Sequence, residues 1–220
     1  MCEVEDPSRF GVAQLDNSKI KKITEKPKDS PSNLAVIGIY FLTPKIFGII
    51  DNLKPSKRGE LEITDALQML LSDGVVDYDT VTGWWKDTGT PEDIIHANKL
   101  VLDSIGTENQ FLIDDDSKIQ DGIVIGKNTE ISSDSFITGP VIIGKNCKIG
   151  PAVRIGSYVS IGDNCILKNC NIENSIIMSN CKINSKVDLS SSIISHGSEI
   201  EDSDTKKHQF LLGERSQLKL

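Results

Sequence analysis

The second half of the sequence repeats every six residues, and this period limits the fold more than any other feature. From residue 113 to residue 167, every sixth position is Ile or Leu, ten times in succession. A period of six fits neither an α-helix nor a single strand. It is typical of short strands joined by turns and wound into stacked coils with the aliphatic side chains inside. The repeat therefore predicts a left-handed parallel β-helix.

Beyond Leu167 the repeat continues with shorter steps. The aliphatic positions are then Ile172, Ile177, Ile183, Leu189, Ile194 and Ile200. Each step of five removes one turn residue, so we expect tightened corners and roughly five coils in all. Gly follows the aliphatic residue in several hexads, and we interpret it as a source of backbone freedom at the turns.

Four of the five cysteines occupy one position of the repeat. Cys147, Cys165, Cys170 and Cys181 each lie two residues before an aliphatic position, where most hexads carry a small or β-branched residue. This placement predicts buried thiols that pack against one another, because free Cys behaves as a small apolar residue. With no CxxC motif, metal binding and disulfides are disfavoured. Cys2 lies outside the pattern and is expected to be exposed.

Composition excludes several classes of protein. The net charge is -8 and there is no run of Lys and Arg, which argues against a nucleic-acid partner. No apolar run is long enough to cross a membrane. The acidic start, "MCEVEDPSRF", lacks the apolar region of a secretory signal, so we expect a cytoplasmic protein.

The first hundred residues predict a mixed α/β domain. We expect a hairpin of strands 9–16 and 19–27, a buried strand at 33–44 and a strand at 75–83. Helices are expected from Pro44 to about Leu53, at 63–74 and after Thr90, where Thr90 and Asp93 form a capping box. The predicted domains are an α/β domain at 1–105, the β-helix at 111–203 and a capping or interface tail at 204–220.

A few polar or small residues of the first domain look placed for a ligand, although each also has a structural interpretation. Asp87 precedes a Gly-containing turn, which a carboxylate commonly orders. Glu25 and Lys26 end a strand and fit a solvated edge. The acids of "RGELEITD", residues 58–65, suit a helix N-terminus. Gly38 fits either a bulge or the close approach of a ligand.

The order of these segments resembles the sugar nucleotidyltransferases, and among them the long form of glucose-1-phosphate thymidylyltransferase. The resemblance rests on "EDPSRFGV", "EKPKDSPSNLAVIGIYF", "KRGELEITDAL" and "GWWKDTGTPEDIIHAN", followed by the hexads. It implies a Rossmann-like α/β nucleotidyltransferase domain, here partial, followed by the β-helix. It also implies that a sugar 1-phosphate attacks a nucleoside triphosphate. The expected substrates are glucose 1-phosphate and thymidine triphosphate.

The resemblance also implies roles for individual residues. Lys26 and Asp87 would be catalytic, with Lys26 neutralising the sugar phosphate and Asp87 holding Mg²⁺. Glu25 would accept hydrogen bonds from sugar hydroxyls. The remaining substrate-binding residues would be Gly11, Val36, Gly38, Tyr40 and Trp85.

One part of the family pattern is missing from the sequence. The family's "GxGTRLxPxT"-type loop, which cradles the triphosphate, does not occur among the 220 residues. We therefore expect that the sequence begins inside the catalytic domain, lacks the nucleotide-binding half and is inactive alone.

Two alternatives remain open from the sequence. Hexapeptide helices also carry acetyl transfer from coenzyme A, for which His196 and His208 would be the candidate bases. The chain would otherwise be a truncated assembly or regulatory module whose β-helix drives oligomerisation. In either enzyme interpretation we expect a homo-oligomer.

Overall fold

The computed structural model describes residues 1–74, 76–105 and 122–202, together with the backbone of 118–120. It forms two compact units, Met1–Trp85 and a second unit that begins at Lys86. The sequence-based boundary at residue 105 differs from this division, because the helix before it groups with the hexads. The predicted tail at 204–220 lies outside the described residues.

An antiparallel sheet of four strands, in the order β1-β4-β2-β3, forms the centre of the first unit. The strands are β1 (Cys2–Glu3), β2 (Gly11–Asp16), β3 (Lys19–Glu25) and β4 (Leu34–Val36). Strands β2 and β3 confirm the predicted hairpin. Its turn residues Asn17 and Ser18 have φ values of 48° and 61°, as a two-residue hairpin turn of the primed type requires.

Two helices accompany this sheet, α1 (Lys45–Ile50) and α2 (Ile63–Ser72), and a short 3₁₀ helix spans Pro7–Arg9. Leu67 of α2 packs with Ala13, Ile20, Ile23 and Leu34 in the main apolar cluster of the unit. Helix α2 confirms the predicted helix at 63–74. Helix α1 is shorter than predicted, since only turn-like hydrogen bonds continue the chain to Leu53.

The predicted strand at 33–44 is wrong beyond Val36. A tight turn at Gly38, closed by the Ile39 N–H to Ile37 carbonyl bond of 2.8 Å, ends the strand. Phe41 is 98% exposed, so the apolar run is not buried on both faces. Apolar content alone indicated burial, whereas the turn decided where the strand ends.

The predicted strand at 75–83 is also wrong, because residues 76–83 form no strand in the structure. Asp77 Oδ1 accepts the N–H of Tyr78, and Asp79 Oδ1 accepts the N–H of Thr80, both at 2.9 Å. Such local bonds take the donors that a ladder of strands would use. Alternating hydrophobicity did not reveal this competition.

Helix α3 (Pro91–Ile105) begins the regular structure of the second unit. Thr90 Oγ1 accepts the N–H of Asp93 at 3.2 Å, which is one of the two bonds of the predicted capping box, and it also donates to the Asp93 carboxylate at 2.8 Å. Across the residues that the structure describes, no helix has both the length and the apolar character needed to cross a bilayer.

The hexads form a parallel β-solenoid with three faces of four, five and six strands, which confirms the predicted class of fold. The strands are β5 (Lys118–Gln120), β6 (Ile123–Ile125), β7 (Glu130–Ile131), β8 (Phe136–Ile137), β9 (Val141–Ile143), β10 (Lys148–Ile149), β11 (Arg154–Ile155), β12 (Val159–Ile161), β13 (Ile166–Lys168), β14 (Asn171–Glu173), β15 (Ile176–Ile177), β16 (Lys182–Asn184), β17 (Asp188–Ser190), β18 (Ile193–Ile194) and β19 (Glu199–Glu201). The strand pairs of the solenoid are parallel except β5 with β6. Ile119, which is on β5, therefore does not lie in a parallel strand pair.

Each coil shortens where the repeat slips. Asn128 and Asn146, which bond across successive coils, are 18 residues apart, whereas Asn164 and Asn180 are 16 apart. The aliphatic positions remain in register through this change, and Ile183 still pairs with Leu167. The slips are therefore tightened corners, as predicted.

Most hexad glycines have a different role from the predicted one, although Gly150, with a φ of 117°, does supply the backbone freedom expected at a turn. Gly126, Gly144, Gly156 and Gly162 are absent from the positive-φ glycines, whereas Asn residues take the left-handed turn positions at 128, 146, 164 and 180. A methyl group on Gly126 would lie 2.6 Å from the carbonyl carbon of Gly144 in the next coil. These glycines therefore permit close stacking of coils, and Asn supplies the turn conformation.

The buried thiols are divided between two faces. Cys147, Cys165 and Cys181 lie just before β10, β13 and β16, which are adjacent strands of one face, while Cys170 precedes β14 on another. All four are buried, as predicted, but they do not form a single column. Burial raises the pKa of the Cys170 thiol to about 11.

Candidate functional site

Three of the predicted binding residues form one row across the sheet of the first unit. Gly11 on β2 lies opposite Glu25 on β3 and opposite Val36 on β4. Side chains in register on neighbouring strands project from the same face of a sheet. The row brings together positions that are far apart in the sequence, with the residue that lacks a side chain at its centre.

Thr64 occupies the space above Gly11. A methyl group at Gly11 would overlap Thr64 Cγ2 and would lie 3.0 Å from Glu25 Oε2. Thr64 Oγ1 donates a hydrogen bond of 2.9 Å to that same carboxylate oxygen. The first turn of α2 therefore orients Glu25, and Gly11 makes room for this contact. That a ligand also approaches Gly11 stays a prediction.

Arg58 is a functional candidate that sequence reasoning missed. Its Nη1 lies 3.5 Å from Glu25 Oε1, so the carboxylate has a hydroxyl partner on one oxygen and a cation near the other. The segment 58–65 was interpreted as a helix N-terminus rich in acids. The single Arg within that acidic segment was the available indication that its charges serve something other than a helix dipole.

Lys26 and Trp85 both contact Phe10, which directly precedes strand β2. The N–H of Lys26 donates to the carbonyl of Phe10 at 2.9 Å, and Lys26 has a φ of 38°, which ends the strand. The Trp85 ring contacts Phe10 edge to face, with 5.5 Å between ring centroids. Since Phe10 precedes Gly11, both predicted residues lie beside the Gly11 row.

Gly38 and Tyr40 follow β4 in the chain. Burial, and secondarily the negative charge of Glu25, raises the pKa of Tyr40 above its ordinary value. The phenol therefore stays neutral at ordinary pH. A methyl group on Gly38 would meet no atom within 4 Å, so this position is open.

Asp87 belongs to the second unit and lies in the turn before α3. Lys86 forms an ion pair of 2.7 Å with Asp93, which ties this turn to the helix. A methyl group on Gly89 would lie 3.1 Å from Asp87 Oδ2, so Gly89 leaves room for the carboxylate. The capping box and the ion pair thus fix the segment that carries Asp87.

The predicted magnesium ligand can be tested against the donors present. Among the residues described, no group of three or more His, Cys, Asp or Glu side chains could hold a metal ion. Mg²⁺ in phosphate-handling sites usually takes one or two carboxylates together with phosphate oxygens. Asp87 fits such a site as a single carboxylate ligand.

The arrangement in the first unit suits a ligand that has both hydroxyl groups and an anionic group. Glu25 is a carboxylate held by two partners, and a held carboxylate is a strong acceptor for hydroxyls. The Arg58 guanidinium lies 3.5 Å from the Glu25 carboxylate, and Lys26 follows Glu25 directly in the chain. By contrast, a cleft of about 460 Å³ lined by Glu3, Tyr78 and other residues contains none of the predicted site residues.

Comparison with known families separates the two parts of the chain. The family described as Nucleotidyl transferase matches residues 1–104. The family described as GMPPB C-terminal domain matches residues 137–219.

Curated relatives extend this similarity. A low-salt glycan biosynthesis nucleotidyltransferase, Agl11, of Haloferax volcanii is 43% identical over 99% of this chain and 62% of its own length. A glucose-1-phosphate thymidylyltransferase of Streptomyces antibioticus is 36% identical over 60% of the chain and 38% of its own length. A bifunctional sugar-1-phosphate nucleotidylyltransferase/acetyltransferase of Sulfurisphaera tokodaii is 40% identical over 59% of the chain and 33% of its own length.

The chain thus spans between 33% and 62% of the length of these relatives. The two parts of the chain are therefore similar to two different family models, residues 1–104 to that of the nucleotidyl transferases and residues 137–219 to that of the GMPPB C-terminal domain.

Proposed function

We propose that the first unit binds the sugar 1-phosphate in a nucleotidyl transfer reaction, with glucose 1-phosphate and thymidine triphosphate as substrates. A phosphate oxygen of the sugar 1-phosphate attacks the α-phosphorus of the triphosphate. The bond between the α-phosphorus and the bridging oxygen breaks, and pyrophosphate leaves. The observation that carries the proposal is Glu25, oriented by Thr64 and Arg58 beside Gly11.

Three charged residues of the first unit have a part in this proposal. Glu25 accepts hydrogen bonds from the sugar hydroxyls, and its contact with Thr64 fixes the direction of its oxygens. Arg58 and Lys26 neutralise the sugar phosphate. This matters because two anions must approach each other, and cations aligned in advance reduce their repulsion.

Magnesium completes the proposal through Asp87. When bound, Mg²⁺ supplies positive charge to the phosphate oxygens of the triphosphate. Asp87 would contribute one carboxylate oxygen to it from the turn that the Lys86–Asp93 ion pair holds in place. The names of the relatives support this class of reaction, although each describes that relative alone.

We also propose that the 220 residues release no pyrophosphate when assayed by themselves. The support is the lack of a "GxGTRLxPxT"-type loop in the sequence, since backbone N–H groups of such loops cradle phosphates. Steady pyrophosphate release from thymidine triphosphate and glucose 1-phosphate by this chain would contradict it.

Binding is therefore the primary test of the proposed function. Calorimetric or ligand-observed NMR titration of the chain with glucose 1-phosphate is expected to show saturable binding. Glu25→Gln should weaken it about tenfold or more, because a charge-assisted acceptor is lost. Asp29→Asn, an exposed carboxylate change nearby, is the matched control and should leave affinity unchanged. Equal effects of the two variants would overturn the assignment of Glu25.

The two alternatives are tested separately. For acetyl transfer, His196 is already engaged: its Nε2 lies 3.1 Å from Asn180 Nδ2, at the end of a ladder of Asn side chains. Titration with acetyl coenzyme A distinguishes this activity. Light scattering tests the homo-oligomeric assembly that we also propose. Assembly of a chain that does not bind the sugar phosphate would favour the alternative of an assembly or regulatory module.

A further inference from the structure

The loop between α1 and α2 is closed on itself and presents Arg58. The N–H of Ser56 donates to the carbonyl of Glu60 at 2.8 Å, and the N–H of Gly59 donates to the carbonyl of Ser56 at 2.9 Å. Ser56 Oγ also accepts the N–H of Arg58 at 3.1 Å. The backbone at Arg58 is therefore fixed before any ligand arrives.

Three carboxylates surround the Arg58 guanidinium. Its Nη2 lies 2.7 Å from Glu60 Oε2, while its Nη1 lies 3.3 Å from Glu62 Oε1 and 3.5 Å from Glu25 Oε1. The side chain of Glu60 is 59% exposed, whereas that of Glu62 is 10% exposed. The shorter ion pair is thus the solvated one, and exposed pairs hold a side chain weakly.

The Glu62 side chain is buried, but it does not cap helix α2, which follows it. It occupies the N-cap position of α2, yet its side chain makes no capping hydrogen bond. Its Oε1 instead accepts Ser56 Oγ at 2.9 Å and contacts Arg58. A buried carboxylate is unfavourable unless it is paired, so its burial against these two partners points to a role in holding Arg58.

We propose that Glu62 is a positioning residue that holds the Arg58 guanidinium beside Glu25 for the phosphate of the sugar 1-phosphate. The inference rests on the proposed function of the first unit. A guanidinium has five N–H donors, so Arg58 keeps donors for an oxyanion while Nη1 contacts Glu62 and Glu25. Glu60 has no part in this positioning, in spite of its shorter ion pair.

The test separates phosphate-dependent binding from sugar binding. The 220-residue chain is titrated with glucose 1-phosphate and, separately, with glucose. Glu62→Gln is expected to weaken glucose 1-phosphate binding about tenfold, because a charge-assisted contact loses its alignment, and to weaken glucose binding much less, because Thr64 still orients Glu25. Glu60→Gln is the matched control in the same loop, with an expected change within about twofold. In an Arg58→Gln background, Glu62→Gln should have no further effect.

A second variant and a spectroscopic readout guard against a general effect on folding. Ser56→Ala removes one bond to the Glu62 carboxylate and the bond that Ser56 Oγ accepts from the N–H of Arg58, and it should weaken phosphate-dependent binding in the same direction as Glu62→Gln. The Nε–H signal of Arg58 in NMR spectra should broaden or move in Glu62→Gln and in Ser56→Ala. In Glu60→Gln it should keep its position and width.

The possible failures are distinct. If the unmodified chain binds glucose 1-phosphate no better than glucose, the proposed function of this site fails. If it binds the phosphate form better, but Glu62→Gln and Glu60→Gln behave alike in both readouts, the positioning role of Glu62 is overturned. If Glu62→Gln does not fold, Ser56→Ala and the Arg58 signal decide.

Discussion

Ser160 Oγ donates a hydrogen bond of 2.6 Å to Asn98 Oδ1, which joins helix α3 to an outward-facing position of the solenoid. Asn98 Nδ2 also donates to the carbonyl of Tyr158 at 3.1 Å. Leu102, one helical turn further along, is buried. The hexads thus support helix α3, which follows the segment that carries Asp87.

Loss of this joint should lower stability. Asn98→Ala removes two partly buried hydrogen bonds, so we expect the free energy of unfolding to fall by about 1–3 kcal/mol, measured by urea denaturation. Ser160→Ala should have a smaller effect, and the double variant should be less than additive because the residues share a bond. Asn171→Ala, which removes an exposed bond to Asp188 on another face, is the control. An equally large loss in the control would show that Asn98 is not a special joint.

Gly11→Ala should disturb the site through Thr64 rather than through the backbone. Its methyl group would overlap Thr64 Cγ2, so we expect a loss of about 1–3 kcal/mol of stability and weaker glucose 1-phosphate binding. Thr64→Ser keeps the hydroxyl that donates to Glu25 and removes the clashing methyl, so it should rescue both properties in the double variant.

Gly38→Ala is the matched control for Gly11→Ala, because nothing lies within 4 Å of the added methyl group. Thermal denaturation should show almost no change in this variant, so it serves as the control for the loss of stability in Gly11→Ala. If Thr64→Ser fails to rescue Gly11→Ala, the overlap with Thr64 is not the reason for glycine at this position.

The sequence allowed the solenoid to be predicted well because a long periodic pattern fixes where each side chain points. Ten aliphatic positions at one spacing favour a single arrangement, and those from Ile143 to Leu167 are all buried in it. The hairpin of β2 and β3 was equally accessible, since Asn17 and Ser18 are a local turn signal. These features depend on neighbours in the sequence or on an exact repeat.

The candidate site was only partly predictable, because its geometry depends on contacts between distant segments. The register that aligns Gly11 with Glu25 and Val36 is set by pairing of three strands. The contact of Arg58 with Glu25 requires the fold of the loop before α2. The failed strand at 75–83 had a local cause, since Asp77 and Asp79 take backbone donors, but alternating hydrophobicity outweighed it in the prediction.

The Cys170 thiol should make stability depend on pH in the alkaline range. Burial raises its pKa from 9.0 to about 11, so the folded state holds the proton that the unfolded state releases first. The thiol's contribution to stability is therefore fully present below pH 9 and is lost as the pH rises through about 11. Urea denaturation at several pH values between 8 and 11 should show this decline.

Cys170→Val should make that decline shallower, because the equivalent positions of the neighbouring coils, Val153 and Val187, already carry Val. Part of the decline in the free energy of unfolding with pH should remain in this variant, since burial also raises the pKa of Cys181. Cys2→Ser changes a thiol outside the solenoid core and should leave the slope as it is. An unchanged slope in Cys170→Val would contradict the assignment to this thiol.

Gly144→Ala should destabilise the solenoid because the coils are too close for a side chain at this position. The added methyl group would lie 2.6 Å from the backbone N of Asp163 and the carbonyl carbon of Gly162, atoms that cannot move independently of their coil. We expect a loss of about 1–3 kcal/mol in urea denaturation, as for an overpacked core. Asn146→Gly, two residues away, keeps the left-handed turn and loses only exposed amide bonds of 3.2 and 3.3 Å, so it should cost less. The opposite ranking of the two variants would mean that turn conformation, rather than close stacking of coils, explains glycine at position 144.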